Sequence, residues 1–271
     1  MPELPEVETC RRGIEPHIKG KVFKEVVVRQ SRLRWPIDDD LPRVLPGQTL
    51  VSLDRRGKYL LLATPVGTLI VHLGMSGSLR ITDLQQPPRK HDHVDFIFDD
   101  DTVLRFHDPR KFGAILWTTE PVENHPLIAS LGPEPLSPGF TADYLFERVQ
   151  RRRVPIKSLI MDNHVVVGVG NIYASESLFL AGLSPMRRSC EVSLDDCRRL
   201  VVAIQTVLQR AIEQGGTTLR DFVNPQGKPG YFQQTLTVYG RVGEPCLTCA
   251  EPIQQRTIAQ RSSYYCACCQ H

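Results

Sequence analysis

Residues 58–73, KYLLLATPVGTLIVHL, contain two apolar runs of β type that are joined by a Pro-Val-Gly turn. Short runs of this kind, bounded by turn residues, are typical of neighbouring β-strands. Similar runs lie on both sides of this segment, at VFKEVVV (22–28), HVDFIF (93–98) and TVLRF (102–106). Several strands within about 100 residues indicate a β-sandwich or a flattened barrel between residues 22 and 118.

The pattern becomes helical on either side of these strands. Residues 5–18 carry apolar side chains at helical spacing behind Pro5, which suits the first turn of a helix. A linker rich in Pro and Gly (120–140) follows the strands, and further helical periods lie at 141–152, 157–163, 172–182 and 193–214. We therefore predict an α+β protein with three domains: an N-terminal helix with a β-sandwich (1–130), a helical domain (131–234) and a cysteine-rich unit (235–271).

Composition and charge are those of an ordinary soluble globular protein. The 271 residues are 41% hydrophobic and 23% charged, and no apolar run approaches the ~20 residues that span a bilayer. The N-terminus lacks the basic and apolar regions of a secretory signal, so we expect a cytoplasmic protein without a membrane partner. The net charge of +3 is compatible with nucleic acid but does not establish it. Local clusters such as 151–153 are by themselves usually solvated faces.

The cysteines of the C-terminal unit have the spacing of a zinc site. Cys246-x2-Cys249 and Cys266-x2-Cys269 are separated by sixteen residues, which matches a site of four thiolates. Such a closed site has no open coordination position, so we predict one structural zinc ion. Cys268 is a competing ligand, although the spacing favours Cys269. The remaining cysteines are expected to be buried or half-buried thiols, namely Cys10, Cys190 and Cys197.

The N-terminal residues Pro2 and Glu3 form a candidate catalytic pair. Because the second residue is small, Met1 is expected to be removed, which leaves Pro2 with a free secondary amine. An α-amino group titrates near pH ~8, so part of it is uncharged at neutral pH and can condense with a sugar aldehyde. Glu3 can donate or accept a proton at the same carbon. Taken alone, the pair is more often an ordinary chain terminus.

Motifs along nearly the whole chain resemble those of the formamidopyrimidine-DNA glycosylases, bacterial base-excision enzymes for oxidised purines. They are MPELPEVE, RRGKYL, HLGMSGSLR, KHDHVDF, DPRKFG, MDNHVVVGVGNIYASESL, QGGTTLRDF and the four-cysteine unit. The resemblance implies a helix–two-turn–helix module in the helical domain and a zinc finger at the C-terminus. It also implies a monomer that acts at the nucleoid on double-stranded DNA containing oxidised purines or abasic sites.

The resemblance also implies catalytic roles. Pro2 would attack C1′ of the damaged nucleotide, expel the base and form a Schiff base, with Glu3 as the acid/base residue. Lys58 would donate a proton in β-elimination, and Arg261 would act in δ-elimination. A cation beside a phosphate leaving group stabilises the developing negative charge. Without the resemblance, Lys58 is an ordinary surface lysine at the start of a strand.

A second set of residues is implied in DNA contact. An enzyme that extrudes a base must fill the space in the stack, and the resemblance assigns this to Met75, Arg110 and Phe112. The neighbouring glycines favour exposed loop tips, whereas Met and Phe are otherwise more often core residues. Residues 217–230, including Arg220 where many relatives carry lysine, would form a lid over the lesion. Phosphate contacts are implied for His91, Arg110, Arg152, Lys157, Asn171 and Arg261.

Two other functions remain open from the sequence. The related endonuclease VIII class removes oxidised pyrimidines with the same nucleophile, but the extended PELPEVE start and the full Met–Arg–Phe trio favour the purine enzymes. A non-catalytic zinc-ribbon DNA-binding protein would share the four cysteines and the basic clusters. It would have no need for Pro2 and Glu3.

Overall fold

The computed structural model describes residues 2–215 and 236–271. Contacts within the chain define two compact units, one up to Ala129 and a second that combines Ser130–Gln214 with the C-terminal segment. The three-domain division at residues 130 and 234 stays a prediction. The loop predicted to cap the lesion, 217–230, lies outside the described residues. Across the two described ranges, no helix is both long and apolar enough to cross a membrane.

The first unit consists of an N-terminal helix and two antiparallel four-stranded sheets. The sheets have the strand orders β1-β6-β7-β5 and β2-β3-β4-β8. The elements, in chain order, are α1 (Leu4–Ile18), β1 (Phe23–Val28), α2 (Leu41–Val44), β2 (Ser52–Arg56), β3 (Tyr59–Thr64), β4 (Gly67–His72), β5 (Ser78–Asp83), β6 (Asp92–Phe98), β7 (Thr102–His107), β8 (Ala114–Thr118) and α3 (Pro126–Ala129).

The segment 58–73 forms the hairpin β3–β4, as predicted. Its pairing runs from Tyr59 opposite His72 to Thr64 opposite Gly67. The apolar runs of β1, β6 and β7 are strands as well, whereas β2, β5 and β8 were not recognised in the sequence. The first two of these, SLDRR and SLRITD, are mostly polar.

Both sheets and α1 contribute to one hydrophobic core. Alternate residues of β3 and β7, such as Leu60 and Phe106, are fully buried in it together with Ile14 of α1. This alternation is the period of two expected of strands with one face on a core. Cys10 is a buried thiol of this core, as predicted, and burial raises its pKa to about 12.

The second unit contains the predicted helices and a C-terminal hairpin. Its elements are α4 (Ala142–Val149), α5 (Ile156–Ile160), α6 (Asn171–Leu180), α7 (Leu194–Glu213), β9 (Gln254–Ile258) and β10 (Arg261–Tyr265). Ser193 caps α7, since its hydroxyl accepts a hydrogen bond from the backbone N–H of Asp196 at 3.1 Å. Cys197 is buried in α7, as predicted. Cys190 is exposed, contrary to prediction: it lies in the short 3₁₀ turn Ser189–Glu191, which buries Ser189 instead.

Candidate active site and nucleic-acid interface

Pro2 and Glu3 lie at the N-terminal end of α1, and both are buried. Glu3 directly precedes the helix and is only 2% exposed. Its backbone N–H donates a 2.7 Å hydrogen bond to Oε2 of Glu6, which is fully buried. The carboxylate of Glu6 therefore takes part in capping the helix, and it holds the backbone of Glu3 in place.

Lys58 lies in the turn between β2 and β3 and is 9% exposed. The guanidinium of Arg55 donates to the carbonyl of Gly57 at 3.0 Å and to Oε2 of Glu8 at 3.1 Å. Glu8 belongs to α1, the helix that follows Glu3. This ion pair therefore ties the helix at the N-terminus to the turn that carries Lys58.

Glu8 stays ionised in this cluster despite its burial. Burial alone would raise the pKa of its carboxyl group, but hydrogen bonds from Arg11 and Arg12 and the charges of Arg11 and Arg55 lower it to about 2. A permanently charged Glu8 keeps Arg55 in position at all physiological pH values.

His72 is held in its neutral form beside the same turn. Burial, followed by the positive charges of Lys58 and Arg34, lowers its pKa to about 4. The backbone N–H of Gly74 donates to Nδ1 of His72 at 3.0 Å. This bond shapes the start of the turn that carries Met75.

Met75, Arg110 and Phe112 are exposed at two loops, 74–77 and 108–113. Met75 is 39% and Phe112 44% exposed, so neither is a core residue. The Arg110 guanidinium lies 4.9 Å from the centroid of the Phe112 ring, within cation–π distance. The loops touch at Gly74, which has a φ of +66° and where a Cβ would lie 2.4 Å from the carbonyl carbon of Phe112. Only glycine fits there.

His91 lies before β6 in a left-handed conformation, with a φ of 73°. Desolvation, with the positive charges of Lys90 and His107, lowers its pKa below the ordinary value. Without DNA this shift favours the neutral ring, whose N–H group can still donate a hydrogen bond to a phosphate.

In the second unit, Lys157 and Asn171 lie in one hydrogen-bond network with β10. The Lys157 ammonium donates to Oδ1 of Asn171 (2.7 Å), to the carbonyl of Ser262 (3.1 Å) and to Oγ of Ser263 (2.8 Å). Asn171 Nδ2 donates to the same Ser262 carbonyl at 3.0 Å. Lys157 is 1% exposed, whereas a direct phosphate contact was expected of it. Its ammonium is therefore engaged by two side-chain oxygens and one backbone carbonyl next to Arg261.

Arg261 lies at the tip of the β9–β10 hairpin. The two turn residues, Ala259 and Gln260, have φ values of 45° and 60°, as the tightest hairpin turns require and as glycine or asparagine adopts more easily. Arg261 lines an open cavity of about 210 Å³ together with Asp162. Arg152 is also exposed, with its guanidinium 4.0 Å from the Asp162 carboxylate.

The four predicted zinc ligands lie together. The sulfur atoms of Cys246, Cys249, Cys266 and Cys269 are all within 4.8 Å of one another. The Cys246 and Cys269 sulfur atoms are 4.0 Å apart, and those of Cys249 and Cys266 are 3.4 Å apart. In a tetrahedral site with Zn–S bonds of about 2.3 Å, neighbouring sulfur atoms are about 3.8 Å apart. Cys268 is exposed and is not part of this group. The donor set and its geometry fit one zinc ion.

Glu176 is an anchor that was not recognised in the sequence. Its carboxylate accepts from the backbone N–H groups of Thr237 (2.9 Å), Val238 (3.0 Å) and Tyr239 (2.8 Å), and from the Thr237 hydroxyl. These bonds join α6 to the segment that leads into the cysteine unit. A single acidic residue in the otherwise uncharged helix NIYASESLFL was the available signal.

Comparisons with known proteins cover the entire chain. Family models match at residues 1–115 (formamidopyrimidine-DNA glycosylase N-terminal domain), 131–223 (formamidopyrimidine-DNA glycosylase H2TH domain) and 243–271 (zinc finger found in FPG and IleRS). The formamidopyrimidine-DNA glycosylases of Teredinibacter turnerae and Methylococcus capsulatus are 58% and 57% identical, with 100% of each chain covered.

Solved structures give the same match. The MutM (FPG) protein of Thermus thermophilus is 38% identical, with a TM-score of 0.89 over 99% of this chain and 98% of that one. The Lactococcus lactis Fpg (MutM) in complex with DNA that contains N7-benzyl-Fapy-dG is 34% identical, with a TM-score of 0.91 over 99% of both chains.

Proposed function

This chain belongs to the formamidopyrimidine-DNA glycosylase family, and on that basis we propose that Pro2 is its nucleophile and Glu3 its acid/base residue. The protein is a DNA glycosylase with lyase activity at abasic sites, and it removes oxidised purines in base excision repair. Its substrate is double-stranded DNA that contains oxidised purines such as Fapy-dG and 8-oxoguanine, or abasic sites.

The proposed reaction starts at the amine of Pro2 once Met1 has been removed. The nitrogen forms a bond to C1′, the glycosidic bond breaks with its electron pair going to the base, and the proton that the nitrogen loses neutralises the departing base. Glu3 donates a proton to the sugar ring oxygen, so that the ring opens and the Schiff base forms. The observation that supports this proposal is the position of Glu3. It directly follows Pro2, is buried, and has its backbone N–H held by the carboxylate of Glu6.

Strand cleavage is assigned to two cations. Lys58, whose turn is tied to α1 through Arg55 and Glu8, acts in β-elimination. Arg261 acts in δ-elimination by stabilising the departing phosphate. The zinc ion held by the four cysteines has a structural role, since it supports the small unit whose hairpin carries Arg261.

DNA binding is assigned to the exposed residues of both units. Met75, Arg110 and Phe112 fill the space of the extruded base, which their exposure at loop tips supports. His91, Arg152, Asn171 and Arg261 contact the phosphate backbone. We assign Lys157 a positioning role behind Asn171 and Arg261, because its ammonium is buried and hydrogen-bonded within the protein.

Borohydride trapping tests the nucleophile. The enzyme is incubated with a duplex that contains 8-oxoguanine, the Schiff base is reduced, and the adduct is mapped by mass spectrometry. We expect the DNA on the peptide that begins with Pro2. An adduct on Lys58 would overturn the assignment. A duplex with an oxidised pyrimidine, processed in parallel, should be trapped more weakly than the purine lesion.

A further inference from the structure

Asp108 lies directly after β7, and its carboxylate bonds to both exposed loops. Oδ1 accepts from the hydroxyl of Ser76 at 2.9 Å and from the backbone N–H of Arg110 at 3.2 Å. Oδ2 accepts from the backbone N–H of Gly113 at 2.7 Å. Asp108 is fully buried. One charged group therefore holds the loop of Met75 and the loop of Arg110 and Phe112 together.

The backbone of Asp108 is itself fixed to the neighbouring strand. Its N–H donates to the carbonyl of His91 at 3.0 Å, and its carbonyl accepts from Nε2 of His93 at 2.8 Å. Hydrogen bonds on the backbone and on the side chain leave this residue little freedom. A buried carboxylate with several donors is a strong and directional anchor.

The two loops are also too closely packed to move separately. A Cβ on Gly113 would lie 2.8 Å from the carbonyl oxygen of His72 and 3.1 Å from Oδ2 of Asp108. The contact of Gly74 with Phe112 is similarly close. The exposed side chains of Met75 and Phe112 thus project from closely packed, buried residues, which are Gly74, Ser76, Asp108 and Gly113.

We propose that Asp108 is a positioning residue that couples the loops 74–77 and 108–113, so that Met75, Arg110 and Phe112 enter the duplex as one unit. This inference rests on the proposed function, since it takes these side chains to fill the vacated stack. Insertion by a preorganised unit avoids the loss of conformational entropy that two independent loops would undergo on binding. Asp108 acts on the base-extrusion step and not on the chemistry at Pro2.

Two substitutions weaken the coupling to different degrees. Asp108→Asn keeps the shape of the side chain but replaces one acceptor oxygen with a donor. The variant therefore loses either the hydrogen bond from Gly113 or the two hydrogen bonds from Ser76 and Arg110. Ser76→Ala removes a single bond and serves as the milder variant if Asp108→Asn folds poorly. Asp95→Asn is the matched control, because this aspartate is equally buried in the first unit but is bound by Arg29 and Arg105.

Each variant is compared on two duplexes of identical sequence, one with 8-oxoguanine and one with a ready-made abasic site. Excision of 8-oxoguanine under single-turnover conditions should fall at least about tenfold for Asp108→Asn and about threefold for Ser76→Ala, as expected when a buried hydrogen bond is lost. Strand cleavage at the abasic site, where no base must be extruded, should stay within about twofold. Asp95→Asn should affect both duplexes alike.

A double-mutant cycle separates coupling from simple stabilisation. When Met75, Arg110 and Phe112 are all replaced by Ala, adding Asp108→Asn should lower excision by less than about twofold further, because none of the three side chains that it positions remains. The inference would be overturned if Asp108→Asn lowered excision in that background as much as it does in the wild type. It would also be overturned if Asp108→Asn lowered cleavage of both duplexes equally. Unchanged excision in Asp108→Asn and Ser76→Ala would overturn it as well. A wild-type enzyme that fails to excise 8-oxoguanine would instead reject the proposed function on which the inference rests.

Discussion

The ammonium of Lys157 donates a 2.7 Å hydrogen bond to the side-chain oxygen of Asn171, and both side chains donate to the carbonyl of Ser262. The first residue of α6 is thereby joined to the hairpin that carries Arg261. The resemblance predicts that Lys157 contacts a phosphate, but its hydrogen bonds indicate that it holds the hairpin in place. The two roles can be distinguished by experiment.

Lys157→Met should lower the free energy of unfolding by about 1–3 kcal/mol, because the buried Ser263 hydroxyl and two half-buried acceptors, on Asn171 and Ser262, each lose the hydrogen bond from the ammonium. DNA binding should weaken through displacement of the hairpin, while the slope of log affinity against log salt stays at the wild-type value. Urea unfolding and salt titrations measure the two effects. Wild-type stability combined with a shallower slope would instead mean that Lys157 neutralises a phosphate.

Arg152→Ala should give the opposite result. Loss of one phosphate contact should make the slope of log affinity against log salt shallower by ~0.9. It should also lower the affinity for damaged and undamaged duplexes equally. Arg198→Ala is the matched control, since that exposed arginine also lies 4.0 Å from an aspartate oxygen. The control should leave the slope unchanged. If both variants had the salt slope of the wild type, Arg152 would not contact a phosphate.

Glu3→Gln should abolish base excision and leave binding of the duplex nearly intact, since the amide keeps the size of the side chain but cannot supply the proton. Glu6→Gln is the informative comparison, because its amide oxygen can still accept from the N–H of Glu3. Glu6→Gln should therefore retain excision within a few fold. If the two variants lost excision to the same degree, Glu6 would be an acid of the reaction as well.

His72 should make stability depend on pH in a defined window. Its pKa is lowered from 6.5 to about 4 in the folded protein, so the unfolded chain takes up a proton first as pH falls. The stabilisation is complete above pH 6.5 and is lost as pH falls towards 4, by at most about 3 kcal/mol. Relative to His72→Asn, which keeps an acceptor for Gly74, the wild type should lose stability across this window. A difference that is constant with pH would contradict the assignment.

Removal of zinc should abolish DNA binding, because the small cysteine unit has few core residues of its own to hold the Arg261 hairpin. Metal analysis should find one zinc per chain in the wild type and in Cys268→Ser, and none in Cys269→Ser. Zinc lost from Cys268→Ser but kept in Cys269→Ser would reverse the ligand assignment.

Local patterns in the sequence determined the secondary structure wherever one face is strongly apolar. The runs of β1, β3, β4, β6 and β7 and the four longer helical segments of the second unit were recognised in this way, and the cysteine spacing identified the metal site. These features depend on residues a few positions apart, so their physics is contained in short stretches of chain.

The charged groups that act as anchors could be identified only in the folded protein. Asp108 meets Ser76 across 32 positions, Glu176 meets the segment around Val238 across 62, and Lys157 meets Ser263 across 106. The mostly polar strands β2 and β5 likewise depend on their neighbours for pairing. A buried charge is stable only where distant partners are brought to it by folding, and no local pattern encodes those partners.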